Sequence, residues 1–333
     1  MLKAISIAVL ILGVVAVTAG CTASYRTKQA EKAFPPSGRF VEVDGARVHY
    51  VQQGSGPDVI LLHGAGGNLR DYTFALMDRL TDRYRVTAFD RPGLGYSDRV
   101  PEVATGPFAT EGDSPMDQAD MLRKAAMKLG IENPIVVGHS FGGVVAYAWA
   151  NMGLEQDSPV NAAAMVSFAG VAMPRPGGLG AYYTINGSVF GGLITIPLIA
   201  AFVPPSVVQD AITATFAPQD APAGYADHIG APLTLRTENF RTNVRQVNTL
   251  RPHVVEMEKS YPRLTLPIEI LHGTADETVP IDVHSERIID IVPSARLTRL
   301  DGVGHMPHHV DQDAAVAAID RAFERAAARA GLR

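Results

Sequence analysis

Residues 135–150 read Ile135-Val136-Val137-Gly138-His139-Ser140-Phe141-Gly142-Gly143-Val144-Val145-Ala146-Tyr147-Ala148-Trp149-Ala150. A short apolar run, a break of small residues and a second apolar run predict a strand, a sharp turn and a helix, with Ser140 at the apex. Small flanking residues are what a strained turn tolerates, and such a turn leaves the serine Oγ exposed at a sheet edge. The Gly138-to-Gly142 pentapeptide alone is weak evidence; the strand before it and the helix after it give it weight.

The same alternation extends on both sides. Phe40–Asp44, Gly45 and Arg47–Val51 predict a hairpin. Asp58–Leu62, Arg85–Phe89, Ala162–Phe168, Ile268–Leu271 and Arg296–Leu300 are short apolar runs suited to buried strands. Between them fall helical patterns at Leu69–Leu80, at Met116–Leu129 (opened by Ser114-Pro115 and closed by Gly130), at Asp282–Ile291 and at Asp311–Ala328. Strands alternating with helices predict an α/β fold, a mostly parallel sheet with helices on both faces and its chemistry at the carboxyl ends of the strands. Residues 171–261 break the pattern and are too long for a plain loop. They are expected to form an inserted cap over that edge, leaving 39–170 and 262–333 as the core.

Composition narrows the class. The 333 residues are 47% hydrophobic and 19% charged with a net charge of −5, a globular balance with no basic stripe for nucleic acid. The N-terminus stands apart. Lys3 precedes the apolar stretch Ala4–Ala19, whose 16 residues fall short of a bilayer span of about 20. Residues 1–20 therefore read as a signal peptide. Cys21 is the single cysteine and forms no intrachain disulfide. Val17-Thr18-Ala19-Gly20-Cys21 resembles a bacterial lipoprotein lipobox, with Thr18 where an aliphatic residue is usual. That resemblance implies lipidation of Cys21 and an exported, membrane-anchored protein; ordinary cleavage and an uncleaved anchor are the alternatives. Residues 21–38 read as a polar tether.

A serine hydroxyl needs a base, and the base an orienting acid. Of ten histidines, His305 lies in the Gly-rich loop after the last strand, where a base reaches a strand-end serine. His308 and His309 read as helix-start or surface residues. Asp276, beyond the Ile268–Leu271 strand, is the acid, with Glu277 as its rival; no Asp or Glu occurs from Val160 until Asp210. The backbone N–H of Phe141 supplies one oxyanion donor. The loop His63-Gly64-Ala65-Gly66-Gly67-Asn68 supplies the other, and its position favours Ala65. Nucleotide-binding glycine motifs are absent, and no His/Cys/Asp cluster has metal spacing, so neither cofactor nor metal is expected.

The order Ser140, Asp276, His305, together with His63-Gly64, Asp90-Arg91-Pro92-Gly93-Leu94-Gly95-Tyr96-Ser97-Asp98, the Gly273-to-Asp276 loop and Gly304-His305, resembles the α/β-hydrolase superfamily over residues 40–325, in its capped branch. The resemblance implies an eight-stranded α/β-hydrolase fold, a structural role for Asp90, and serine ester hydrolysis. Haloalkane dehalogenases and epoxide hydrolases of the superfamily place aspartate at the nucleophile position, where this chain has Ser140. Carbon–carbon bond hydrolases and cofactor-free haloperoxidases share the serine and stay open, as does a binding module without catalysis. The apolar stretch Val189–Val203 reads as a cap helix on the core or as a wall over an acyl pocket, which fits a hydrophobic acyl or aryl ester. Tyr182, Tyr183 and Tyr225 fall in the cap. Arg175, Arg236, Arg241, Arg245 and Arg251 read as solvated charges, with contact to an anionic group as the alternative. The oligomeric state is open.

Overall fold

The computed structural model describes residues 2–155 and 158–331. Helix α1 (Leu2–Ala33) is followed by strands β1 (Arg39–Val43), β2 (Ala46–Gln53) and β3 (Asp58–Leu62), the single turn α2 (Arg70–Thr73), and β4 (Arg85–Phe89). Then come α3 (Pro115–Lys128), β5 (Ile135–His139), α4 (Phe141–Met152) and β6 (Ala164–Phe168). An all-helical insertion follows: α5 (Ala181–Asn186), a π-helical turn (Gly191–Thr195), α6 (Ile196–Phe202), α7 (Pro205–Ala214), α8 (Tyr225–Ile229), α9 (Ala231–Thr234), α10 (Thr237–Asn248) and α11 (Leu250–Met257). The chain closes with β7 (Ile268–Gly273), α12 (Ser285–Ile291), β8 (Ala295–Leu300), α13 (Pro307–Val310) and α14 (Gln312–Arg329).

The eight strands form one sheet in the order β1-β2-β4-β3-β5-β6-β7-β8. The hairpin β1–β2 and the pair β2–β4 are antiparallel; every other pair is parallel. Asp44 and Gly45 both take positive φ (52° and 83°), the twist a two-residue hairpin turn requires. The period-2 rule sorts the strand side chains onto two cores. Ile60, Leu62, Val136, Met165 and Ile268 pack with α3, α4 and α12, whereas Val59, Leu61, Val137, Val166 and Leu271 pack with α14 and the 69–84 segment. From β3 the chain passes to β4 on one side and then to β5 on the other. The crevice outside the carboxyl ends of β3 and β5 is thus the switch point where such sheets bind ligands.

Helix α3 is capped as its sequence predicts. Asp117 N–H donates to Ser114 Oγ at 3.1 Å, Ser114 N–H donates back to the Asp117 carboxylate at 3.2 Å, and Gly130 leaves at φ 63°. Three expectations need correction. The helix expected over Leu69–Leu80 is only one α-turn. Beyond it bonds such as Arg79 N–H to Leu76 O and Leu80 N–H to Met77 O close tight three-residue turns, which still bury Leu76, Met77 and Leu80. The helix expected from Asp282 starts at Ser285. The segment expected to be a tether is helical through Ala33, because Ala19 and Ala23 bury against Ala200 and Ala201 of α6 and leave no free linker.

Candidate active site

Ser140 sits between β5 and α4 with φ 51° and ψ −118°, a left-handed backbone that non-glycine residues rarely adopt. The turn closes only because its neighbours are small. A Cβ on Gly142 would drive into the carbonyl oxygen of Leu62, and one on Gly64 would lie 3.1 Å from the Ser140 Cβ. The loop after β3 therefore passes directly beside the serine. In that loop Gly66 N–H donates to Asn243 Oδ1 at 2.6 Å and Gly67 N–H to Gly64 O at 3.4 Å. Ala65 is exposed and its N–H is not among the hydrogen-bonded groups.

His305 Nδ1–H donates to Asp276 Oδ2 at 2.7 Å, which leaves Nε2 as the acceptor. The other Asp276 oxygen accepts the N–H groups of Thr278 and Val279, both at 2.9 Å. Burial alone would raise the Asp276 carboxyl; the hydrogen bonds from His272 and His305 overcome it and hold the group well below the usual carboxylate range. Glu277 is exposed. The structure thus brings Asp276 and His305 together. Ser140 lies next to them through its neighbour: His139 Nε2–H donates to His305 O at 3.0 Å, with the two rings 4.9 Å apart. A Ser140–His305 hydrogen bond is not formed.

Several partners escape a reading of the sequence. His272 Nε2–H is shared between Val279 O (2.9 Å) and Asp276 Oδ2 (3.1 Å), while Nδ1 faces Ser285 Oγ at 2.6 Å. His272 is the second-last residue of β7, four before Asp276, a position that could have pointed to it. His308 and His309 are buried, not surface residues. Together with Tyr225 O–H from the insertion they donate to one buried carboxylate, Asp71, at 3.3, 2.7 and 2.7 Å. Ligand-type atoms of Asp71, His139 and His308 lie within 4.8 Å of one another, a juxtaposition that sequence spacing does not show. Hydrogen bonds to both Asp71 oxygens make this cluster a structural node joining the His305 loop, the 69–84 segment and the insertion.

Arg91 is fully buried. Its guanidinium donates to the carbonyls of His63 (2.8 Å) and Gly64 (3.1 Å) and stacks 4.4 Å from the Phe141 ring, and so braces both sides of the serine turn. Burial lowers it to about 9. Asp90 is structural, accepting from His49 Nδ1 and from the N–H groups of Leu69 and Tyr96, each at 2.7 Å. Arg236, Arg241 and Arg245 are buried rather than solvated, because backbone carbonyls of Gly95, Gly192 and Gly106 accept their guanidinium protons.

The insertion sits on the carboxyl-end loops. Asn68 donates to Ile229 O at 2.9 Å, Thr234 to Gly66 O at 3.1 Å, and Gln219 grips the His305 loop from both sides through Gly302 O (2.8 Å) and Gly304 N–H (2.9 Å). A cleft of about 10 Å³ lies between Gly66–Asn68 and Leu233, Thr234 and Asn239. Within Val189–Val203, Ile196, Ala200 and Ala201 face inward, whereas Phe190, Leu193, Ile194 and Phe202 are exposed.

The buried imidazoles make a stability prediction. Burial lowers His63, His284 and His308 from 6.5 to about 4. Between those values the unfolded chain binds protons that the folded chain refuses, so stability falls as pH drops from 6.5 toward 4, by up to about 3 kcal/mol for each imidazole. The urea midpoint is expected to be markedly lower at pH 5 than at pH 7.5; equal midpoints would contradict this.

Residues 59–319 match the alpha/beta hydrolase family, and the chain belongs to it. An uncharacterised protein of Mycobacterium tuberculosis is 28% identical over 310 residues, spanning 90% of this chain and 87% of its own length. An esterase from Exiguobacterium antarcticum superposes with a TM-score of 0.66 at 19% identity, covering 85% of this chain and 98% of its own. A bacterial membrane phospholipase A superposes with a TM-score of 0.63 at 20% identity, covering 97% and 99%.

Proposed function

We propose that this hydrolase cleaves carboxylic esters of hydrophobic acyl or aryl substrates through an acyl-enzyme on Ser140. The observation that carries the reading is the 2.7 Å bond between His305 Nδ1 and Asp276 beside a serine held at positive φ. Ser140 Oγ attacks the ester carbonyl carbon as its proton passes to His305 Nε2. The negative charge of the tetrahedral intermediate falls on the former carbonyl oxygen, where the N–H groups of Ala65 and Phe141 receive it. His305 then protonates the departing alkoxide as the carbon–oxygen bond breaks. A water molecule, deprotonated by His305, attacks the acyl carbon, and the carboxylic acid leaves with Ser140 restored. Asp276 keeps the imidazole in the tautomer that accepts at Nε2. Structural neighbours named as an esterase and a membrane phospholipase A are in keeping with cleavage of an ester.

The anchored, exported location belongs to the same proposal, with Cys21 as the lipid-bearing residue. Hydrolysis of p-nitrophenyl esters of increasing acyl length tests the reaction. The expected result is turnover that rises with acyl length until the pocket is filled. No turnover at any length, with release of a dienoate from a ring-cleavage product or with peroxide-dependent halogenation, would move the assignment to one of those chemistries.

A further inference from the structure

Among the described residues, twenty large apolar side chains are exposed, and sixteen of them lie on α1 or between Leu179 and Val207. Scattered apolar residues need no explanation, but this concentration does. The two pieces are neighbours. Ala19 and Ala23 of α1 bury against Ala200 and Ala201 of α6, and Arg26 donates to Val203 O at 2.6 Å. Before Ala19 every described side chain of α1 is exposed. The helix therefore projects from the body for about 25 Å, at 1.5 Å per residue. Its projecting part is the apolar stretch Ala4–Thr18, and it leaves the body where the exposed cap face begins.

The cap face has its own signature. From Pro176 to Gln209, 34 residues carry no Asp, Glu, Lys, Arg or His. Phe190, Leu193, Phe202 and Val207 in this run are 56%, 45%, 54% and 52% exposed. Gly191–Phe202 and Pro205–Ala214 are together apolar enough for a membrane but are bent by 98°, and no single described helix is long and apolar enough to cross one. A bent apolar pair at a surface fits shallow insertion at an interface, not a span.

We propose that this face of the cap, Leu179–Val207, docks on a phospholipid bilayer and that the enzyme takes its ester from that bilayer. The substrate half of this statement rests on the ester-hydrolase reading above. α1 fixes the orientation. If the first anchor is the apolar stretch, it leaves the body at the contact with α6; if it is lipid chains on the exposed Cys21, residues 1–20 are removed, Ala23 and Arg26 keep the contact with α6, and hydrocarbon enters within about a turn of it. A single weak anchor holds a protein only marginally, and a second apolar contact makes the attachment stable. The cap face is that second contact, and the α1–α6 packing removes the slack that a tether would leave.

The test uses the full chain with Phe190→Glu plus Leu193→Glu, and separately Val207→Glu plus Phe202→Glu. All four side chains are exposed, so the fold is expected to tolerate the changes. Partitioning onto vesicles of phosphatidylethanolamine and phosphatidylglycerol is measured by flotation. Hydrolysis is measured on p-nitrophenyl butyrate in solution and on a long-chain ester carried in the vesicles. The expected result is partitioning and vesicle-ester hydrolysis reduced at least about tenfold, with p-nitrophenyl butyrate turnover within about twofold of wild type. Unchanged partitioning in both variants would overturn the docking. So would a wild-type dimer that the variants break without loss of vesicle binding, since the face would then meet a second copy. Partitioning that falls while no ester is turned over by wild type would leave the docking standing and remove the ester reading.

Discussion

Ser140→Ala is expected to lower ester turnover by a factor on the order of 10⁴–10⁶. The loss falls on chemistry, because the substitution removes one oxygen and leaves the frame that holds it. The elbow is set by Gly142 against Leu62 O, by Gly64 beside residue 140 and by Arg91 over Phe141, none of which uses the hydroxyl. Ser140 N–H bonds Phe168 O, and Ser140 O accepts from Gly143 and Val171; these are backbone bonds that alanine keeps. The variant should therefore melt within a few degrees of wild type while its burst of p-nitrophenol disappears. Turnover within tenfold of wild type would rule out the serine as nucleophile.

Asp276→Asn should reduce kcat by a factor on the order of 10³–10⁴ with little change in KM. The reason lies in the donors around the carboxylate. Thr278 and Val279 N–H both point at Oδ1, so the amide oxygen of an asparagine must take that place. Its NH₂ then occupies the Oδ2 position and faces His305 Nδ1 and His272 Nε2–H. His305 can meet an NH₂ only by accepting at Nδ1, which moves its proton to Nε2 and aims it at the serine. A base becomes a donor, and the proton of Ser140 has nowhere to go. His272, held by Val279 O and Ser285, loses an acceptor and adds a smaller stability cost. Steady-state kinetics and thermal melting of the variant separate the two effects. A kcat within tenfold of wild type would show that Asp276 does not set the tautomer.

The geometry around Asp276 and His305 was legible in sequence because each residue follows a strand, and strand ends converge on one edge of a parallel sheet. The hairpin, β3 to β8 and the α3 cap were legible for a related reason: their determinants are local in sequence. What was not legible depends on contacts across the chain. Asp71 meets His308, His309 and Tyr225 over separations of 237, 238 and 154 residues. No periodicity marks such a node, so the sequence offered a helix start or the surface for His308 and His309; they do open α13, but their burial was not legible. Arg236, Arg241 and Arg245 misled for the same reason, since the carbonyls that receive them come from segments far along the chain. Residues 22–33 look like a polar linker by composition, and small alanines at 19, 23 and 30 were the clue to a packed helix. Apolar content located the stretch at Val189–Val203 without revealing that half of it faces outward.

The most direct test of the proposed mechanism is covalent. The protein is treated with a fluorophosphonate, which reacts with an activated serine hydroxyl, and the labelled peptide is located by mass spectrometry. The expected result is a single adduct on Ser140, lost in Ser140→Ala and strongly slowed in Asp276→Asn. Rapid ester turnover by a protein that takes up no label at Ser140 would contradict the account.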